Sequence, residues 1–261
     1  MISWNYLPYF AACTVLLSFA GAFLALFSDR KRRYAQPLTL TAIITLGVFI
    51  TALWYSLERP PLRTMGETRL WYSFFMLIAG YITYLKWKFS WVLLFSSIMS
   101  TVFLLVTLLN PEMHDKTLMP ALQSIWFVPH VTVYMFSYAL LGVSFILSLY
   151  GLMTSKHEIF NVIDTLTYAG TAFFTTGMLI GAIWANEAWG NYWSWDPKES
   201  WALITWMLYL LYIHLRLFGI TITKPKILYI VLIIAFFALQ MCWYGINYLP
   251  SYVPSIHIYN K

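Results

Sequence analysis

Charge is what this sequence has least of. Asp, Glu, Lys and Arg make up 10% of its 261 residues, against 61% hydrophobic and 20% aromatic. An average soluble domain carries roughly 25% charged residues, and with a mean hydropathy of +0.69 a soluble single-core domain is excluded. Cysteine is nearly as scarce. Cys13 and Cys242 are the two present, both inside apolar runs, with no CxxC, no zinc-ligand spacing and no CxxCH. That excludes a thiol oxidoreductase, a zinc module and a chain that is itself a c-type cytochrome. Acids are scarcer than bases, giving a formal net charge of +6. The one basic run, Asp29-Arg-Lys-Arg-Arg33, is a short loop, so the basic balance implies no nucleic-acid partner.

What is present is apolar length. A spanning helix needs about 20 mostly apolar residues, and segments 7–27, 38–57, 69–86, 89–109, 130–153, 165–184, 200–218 and 226–246 qualify. The shortest, 69–86, is flanked by Arg69 and Lys86. The first has neither a basic leader nor a cleavage site and reads as a retained span. The fold class is therefore all-α: a polytopic bundle of about eight transmembrane helices, read as one domain over 1–261.

An even number of spans puts both termini on one side. With the N-terminus outside, the inner loops hold Arg30, Lys31, Arg32, Arg33, Lys86, Lys88, Lys156, Arg216, Lys224 and Lys226, ten of the sixteen basic residues. The outer segments hold the other six beside seven of the ten acids. Basic loops stay inside, so both termini are expected on the outer face. The longer outward segments are 58–68, 110–129 and 185–199, with the tail 247–261. Segment 58–68 (Glu-Arg-Pro-Pro-Leu-Arg-Thr-Met-Gly-Glu-Thr) is dense in charge, and its diproline favours extended chain. It reads as an ordered loop whose charges are available to a partner or substrate.

Of five histidines, His114 and His157 lie in loops without a ligating neighbourhood. His130, after Trp126-Phe-Val-Pro129, opens the fifth span from outside, and His257 lies in the outer tail. Each alone reads as an interfacial histidine. Together, on the face that carries the tryptophan-rich loop between them, two imidazoles match the axial positions of a haem iron. His214 lies within the seventh span, where an ionisable group reads as functional; the other reading has it snorkelling with Arg216 to the inner interface.

The loop Trp189-Gly-Asn-Tyr-Trp-Ser-Trp-Asp-Pro-Lys-Glu-Ser-Trp201 is the densest feature. Tryptophan and tyrosine collect at bilayer interfaces, and Asp196-Pro197-Lys198-Glu199 has the form of an N-cap with a capping box. Neither explains Trp184, Trp189, Trp193, Trp195, Trp201 and Trp206 on a single membrane edge. Trp189 and Trp193 share a face if that stretch is helical. A stacked platform suits a large planar ligand, and helix-start amides at 197–199 with Lys198 suit its anionic groups.

This stretch resembles the WWD signature of the haem-handling proteins of cytochrome c maturation, and the chain most resembles the CcsA (ResC) branch of the system II cytochrome c synthases, from Glu58-Arg-Pro-Pro through the tail. The resemblance implies a haem lyase subunit that translocates haem b and presents it on the outer face of a bacterial cytoplasmic membrane, for attachment to CxxCH of apocytochrome c. It implies His130 and His257 as outer axial ligands and His214 as a haem ligand within the membrane. Trp189, Trp193, Trp195, Asp196, Lys198 and Trp201 would then form the haem-binding loop, with no catalytic residues beyond those that position haem. It further implies a separate CcsB/ResB-like subunit and thiol-reducing maturation proteins as partners. One departure stands out: the family pattern around the last histidine is Leu-His-Ser-Tyr, and this chain has Ile-His-Ile-Tyr. Two other readings stay open, a CcmC-like haem exporter that hands haem on without attaching it, and a permease for another substrate whose loop only anchors it.

Overall fold

The computed structural model describes residues 2–27, 32–111, 120–154, 157–219 and 224–247. Among them are eight long helices: α1 (Leu7–Phe27), α2 (Ala35–Leu57), α3 (Met65–Trp87), α4 (Ser90–Leu109), α5 (Phe127–Thr154), α6 (Phe160–Trp189), α7 (Pro197–Leu217) and α8 (Pro225–Trp243). No strand occurs among the described residues. All but α3 are long and apolar enough to cross a membrane. The expected bundle of about eight helices is the fold observed. His114, Lys156 and the tail bearing His257 lie outside the described residues.

The helices form two compact units, 1–118 and 119–261. In the first, α1 packs on α2 and α4, and α3 on α4 and α2, closing a four-helix ring. Its core is Leu7, Ile43, Leu46, Phe49, Leu53, Leu70, Leu77 and Leu104. Several polar side chains inside these helices satisfy themselves locally. The hydroxyls of Thr39, Thr83 and Ser97 donate to carbonyls one turn back, at 2.9, 2.7 and 2.8 Å. That is how hydroxyls are tolerated where no water is at hand.

The start of α3 explains why a charged segment can open a buried helix. Thr64 is its N-cap, and Glu67 completes a capping box. Glu67 is fully buried. Its carboxylate accepts from the backbone N–H groups of Arg63 (2.6 Å) and Thr64 (3.1 Å) and from both terminal nitrogens of Arg59 (2.8 and 3.1 Å). A paired, fully hydrogen-bonded carboxylate is a tolerable buried charge. The helix therefore begins at Met65, four residues before the span read from hydropathy.

In the second unit α5 packs on α6 and α8, and α7 on α8 and more sparsely on α6. At one end Asp164 of α6 holds α7. It accepts from the Tyr212 hydroxyl at 2.6 Å and from Arg216 through Nε at 2.8 Å and through Nη2. Arg216 also lies over the Phe160 ring, 4.7 Å from its centroid, and Phe160 stacks on Tyr229 of α8 at 4.6 Å.

Candidate functional site

At the opposite end of the second unit α5 begins with Phe127-Val-Pro-His130. Its Nδ1 lies 2.8 Å from the Gly177 carbonyl of α6. A carbonyl oxygen only accepts, so Nδ1 carries the proton, and in the neutral ring the lone pair is on Nε2. This is the form in which imidazole binds a metal, oriented by its other nitrogen. The ring is stacked on Trp184 (5.4 Å, 30°) and meets Tyr134 edge-on (4.7 Å, 73°).

Two glycines one turn apart on α6 make room for it. A Cβ at Gly181 would stand 2.5 Å from the His130 ring, and one at Gly177 would stand 2.9 Å from Tyr134. The pair lets α5 and α6 approach as small residues do in membrane helix pairs. Neither Gly177, Gly181 nor Tyr134 stood out in the sequence, although Gly177-Met-Leu-Ile-Gly181 is a visible small-x-x-x-small pattern. A valine at 181 would overpack this contact, an effect worth about 1–3 kcal/mol. We expect Gly181→Val to lower the melting temperature in detergent, and His130→Ala to relieve much of that loss in the double variant. Additive losses would show that the ring and the glycine do not share the contact.

Trp184, 1% exposed, carries the cluster toward the loop. Its indole N–H donates to the Ala121 carbonyl at 2.8 Å, and its ring meets Phe127 at 5.1 Å and Trp189 at 4.9 Å. Trp189 is the last residue of α6. Gly190, at φ 81°, ends the helix, its N–H bonding the Asn186 carbonyl at 2.9 Å; left-handed backbone there suits glycine. The helical condition for Trp189 and Trp193 to share a face is therefore not met. Trp193 instead meets Trp195 at 5.8 Å in a T-shaped pair.

Trp195 takes the left-handed φ of 59°, uncommon for a bulky residue, and is 69% exposed. Tyr192 beside it is 61% exposed. The Trp193 indole N–H is buried and has no hydrogen-bond partner among the described residues. So the loop divides into an inner stack ending at Trp189 and an outer, open group at 192–195.

The acid-proline run caps α7 as expected. Asp196 accepts from the Lys198 N–H at 2.8 Å, Pro197 stands at the first helical position, and Glu199 completes a capping box. Glu199 also binds the Ser194 N–H at 2.8 Å and the Asp196 N–H at 3.1 Å, which fastens the loop to the helix it opens. The amides at the helix start thus have an internal acceptor in Asp196. Lys198 sits beside α8, its carbonyl 3.5 Å from the Cys242 thiol. Trp201, the fifth residue of α7, is half-buried. Trp206 bonds Thr175 of α6 at 2.9 Å and ties helices rather than extending the loop.

His214 does not join this group. It is exposed on α7, near the helix end that Asp164 holds. Its Nδ1 lies 2.8 Å from the Leu210 carbonyl, so Nδ1 carries a proton there as well. Arg216, two residues on, turns instead to Asp164, so the two side chains do not leave the helix together. Beside His214 a groove of about 370 Å³ opens between α6 and α7, lined by Tyr168, Thr171, Ala172, Thr175, Ile213 and Leu217.

The residues fit a porphyrin ligand in three respects. Two imidazoles are each oriented through Nδ1, the rings of Tyr192 and Trp195 are exposed, and the buried Trp193 indole N–H has no hydrogen-bond partner among the described residues. No cluster of three or more His, Cys, Asp or Glu suited to a bare metal ion occurs among the described residues.

Comparison with known proteins gives the family. A family model described as "Cytochrome C assembly protein" matches residues 62–253, from the Arg59–Glu67 loop to the tail. A protein from Guillardia theta named "Cytochrome c biogenesis protein CcsA" is 32% identical over 250 residues, covering 81% of each chain. A protein of the same name from Parasynechococcus marenigrum is 29% identical over 90% of each. One from Chlamydomonas reinhardtii is 38% identical over 63% of this chain, and there the match spans half the relative's length.

Proposed function

The chain belongs to the cytochrome c assembly protein family, and from that premise we propose that it presents haem at its tryptophan-rich loop for covalent attachment to the CxxCH of an apocytochrome c. Its place in cytochrome c biogenesis follows from its CcsA relatives; the haem-lyase step is our reading. The observation that carries it is the seat of His130, a ring stacked on Trp184 and anchored through Nδ1 to the Gly177 carbonyl.

In this reading His130 offers one axial nitrogen to haem iron and His257, in the tail, offers the other. His214 holds haem b at the second site. Trp189, Trp193 and Trp195 give ring surface, and the Trp193 N–H and the Lys198 ammonium meet the propionates. Asp196 fixes the loop through its cap, and Trp201 backs it from near the start of α7. Haem, as substrate, brings the vinyl groups to which the apocytochrome thiols add. The chain's own contribution is positioning. A CcsB/ResB-like subunit completes the machine, and thiol-reducing proteins keep the CxxCH cysteines reduced. The loop and both termini face outward from a bacterial cytoplasmic membrane.

Absorption spectroscopy of the purified protein tests the haem reading. After expression with ample haem we expect a low-spin Soret band. Its absence would leave a permease with an aromatic anchor.

A further inference from the structure

The first unit carries a second concentration of chemistry that haem handling does not use. In the Glu58–Glu67 stretch, Glu67 is already occupied by Arg59 and two backbone amides. Arg63 lends Glu67 only its backbone N–H. Its guanidinium Nε is buried without a hydrogen-bond partner among the described residues. Burial first, and then the Arg59 charge, hold the Arg63 pKa below its ordinary value, with Glu67 opposing. The loop that presents Arg63 is pinned by local contacts. Leu62 is 1% exposed, its N–H bonds the Pro60 carbonyl at 2.9 Å, and Arg59 bonds the same carbonyl at 3.2 Å. Glu58 is exposed in a left-handed turn, and Arg69 is buried.

This loop follows the end of α2, where Trp54 is 43% and Tyr55 is 82% exposed. Exposed tryptophan and tyrosine at a span's end mark the headgroup level of a bilayer. From that same end a groove of about 1230 Å³ runs along α2, between Tyr6 and Phe10 on one side and Phe74 on the other. Tyr55 and Ser56 line it near the loop, and Thr51, Ala52, Val48, Gly47 and Ile44 line it further into the span. The volume exceeds the roughly 300–1,000 Å³ of ordinary small-molecule pockets. The lining is almost wholly apolar below the hydroxyls of Tyr55 and Ser56. A cationic donor in the loop that follows α2, and a long apolar groove that reaches the same end of α2 at Tyr55 and Ser56, together have the two-part character of a phospholipid.

We propose that the first unit holds one anionic phospholipid, its phosphate on Arg63 and its acyl chains in the groove along α2. Basic residues beside a span attract anionic headgroups, and a charge-assisted guanidinium–phosphate contact adds geometric preference. The lipid covers an opening between α1, α2 and α3 that these helices leave unfilled.

The test is native mass spectrometry of the full chain in detergent after delipidation, titrated separately with phosphatidylglycerol, diacylglycerol and inorganic phosphate. One phosphatidylglycerol per chain should persist under conditions that strip diacylglycerol. Arg63→Gln should weaken its retention about tenfold, the scale of one lost hydrogen bond to a charged group. Ala52→Phe, which fills the groove and leaves the loop intact, should weaken it comparably. Equal retention of diacylglycerol, or no response to either substitution, would overturn the proposal. So would inorganic phosphate binding as tightly as the lipid and unaffected by Ala52→Phe, which would assign Arg63 to a free anion.

Discussion

His130→Gly abolishes covalent haem attachment to a CxxCH reporter, and added imidazole restores part of it. This is the largest functional effect we expect from a single substitution. The ring has two jobs that glycine removes together: it fills the space between Trp184, Tyr134 and Gly181, and it offers Nε2 to iron. Pyrrole separates them. It has the size of imidazole and an N–H for the Gly177 carbonyl, but no basic nitrogen. Rescue by imidazole and not by pyrrole identifies His130 as a ligand. Equal rescue by both would reduce it to packing, and undiminished attachment in the variant would remove it from the site. Chain abundance measured in the same membranes keeps a folding defect distinct from a lost ligand.

Glu67→Ala is expected to be the most destabilising single change in the first unit. It strands the Arg59 guanidinium and leaves the backbone donors of Arg63 and Thr64 without their acceptor. Removing one partner of a buried pair costs about 3–5 kcal/mol. Arg59 is 18% exposed and recovers some hydration, so the lower end applies. A loss of about 3 kcal/mol lowers the melting temperature by roughly 10 °C in a chain of this size, measurable by thermal unfolding in detergent. Glu67→Leu combined with Arg59→Leu should recover much of the loss, because no isolated charge then remains. A melting temperature equal to the parent's in Glu67→Ala would show that the pair contributes nothing.

The same residues show what a sequence of this kind discloses. Hydropathy located the eight helices because seven of them have the apolar length that burial in lipid demands, a one-dimensional property. It misplaced the start of α3 because charge was read as interruption, whereas Thr64 and Glu67 form a capping box that Arg59 neutralises. The pattern Thr64-Met-Gly-Glu67 was visible, but the neutralising arginine belongs to the folded loop. The cap at Asp196–Glu199 was legible because caps are local. The arrangement of the tryptophans was not. It depends on where Gly190 ends α6 and on a left-handed turn at Trp195.

The seat of His130 was hidden for a different reason. Gly177 and Gly181 are informative only once the register of α5 against α6 is known, and register is a property of the pair. His214 and Arg216 look alike in sequence as ionisable side chains near a helix end. In the fold Asp164 claims the arginine and leaves the histidine facing outward, beside the α6–α7 groove.

The most direct test of the central claim is co-expression of this chain with a CcsB/ResB-like subunit and an apocytochrome bearing CxxCH, in cells lacking other maturation systems, read by the covalently retained haem of the reporter. Haem that survives denaturation on the reporter, and disappears when the tryptophan-rich loop is altered by Trp193→Ala and Trp195→Ala together, is the result we predict. A chain that binds haem with a low-spin spectrum and yet never yields covalent haem on the reporter would contradict it, and would make this protein a carrier that hands haem to another enzyme.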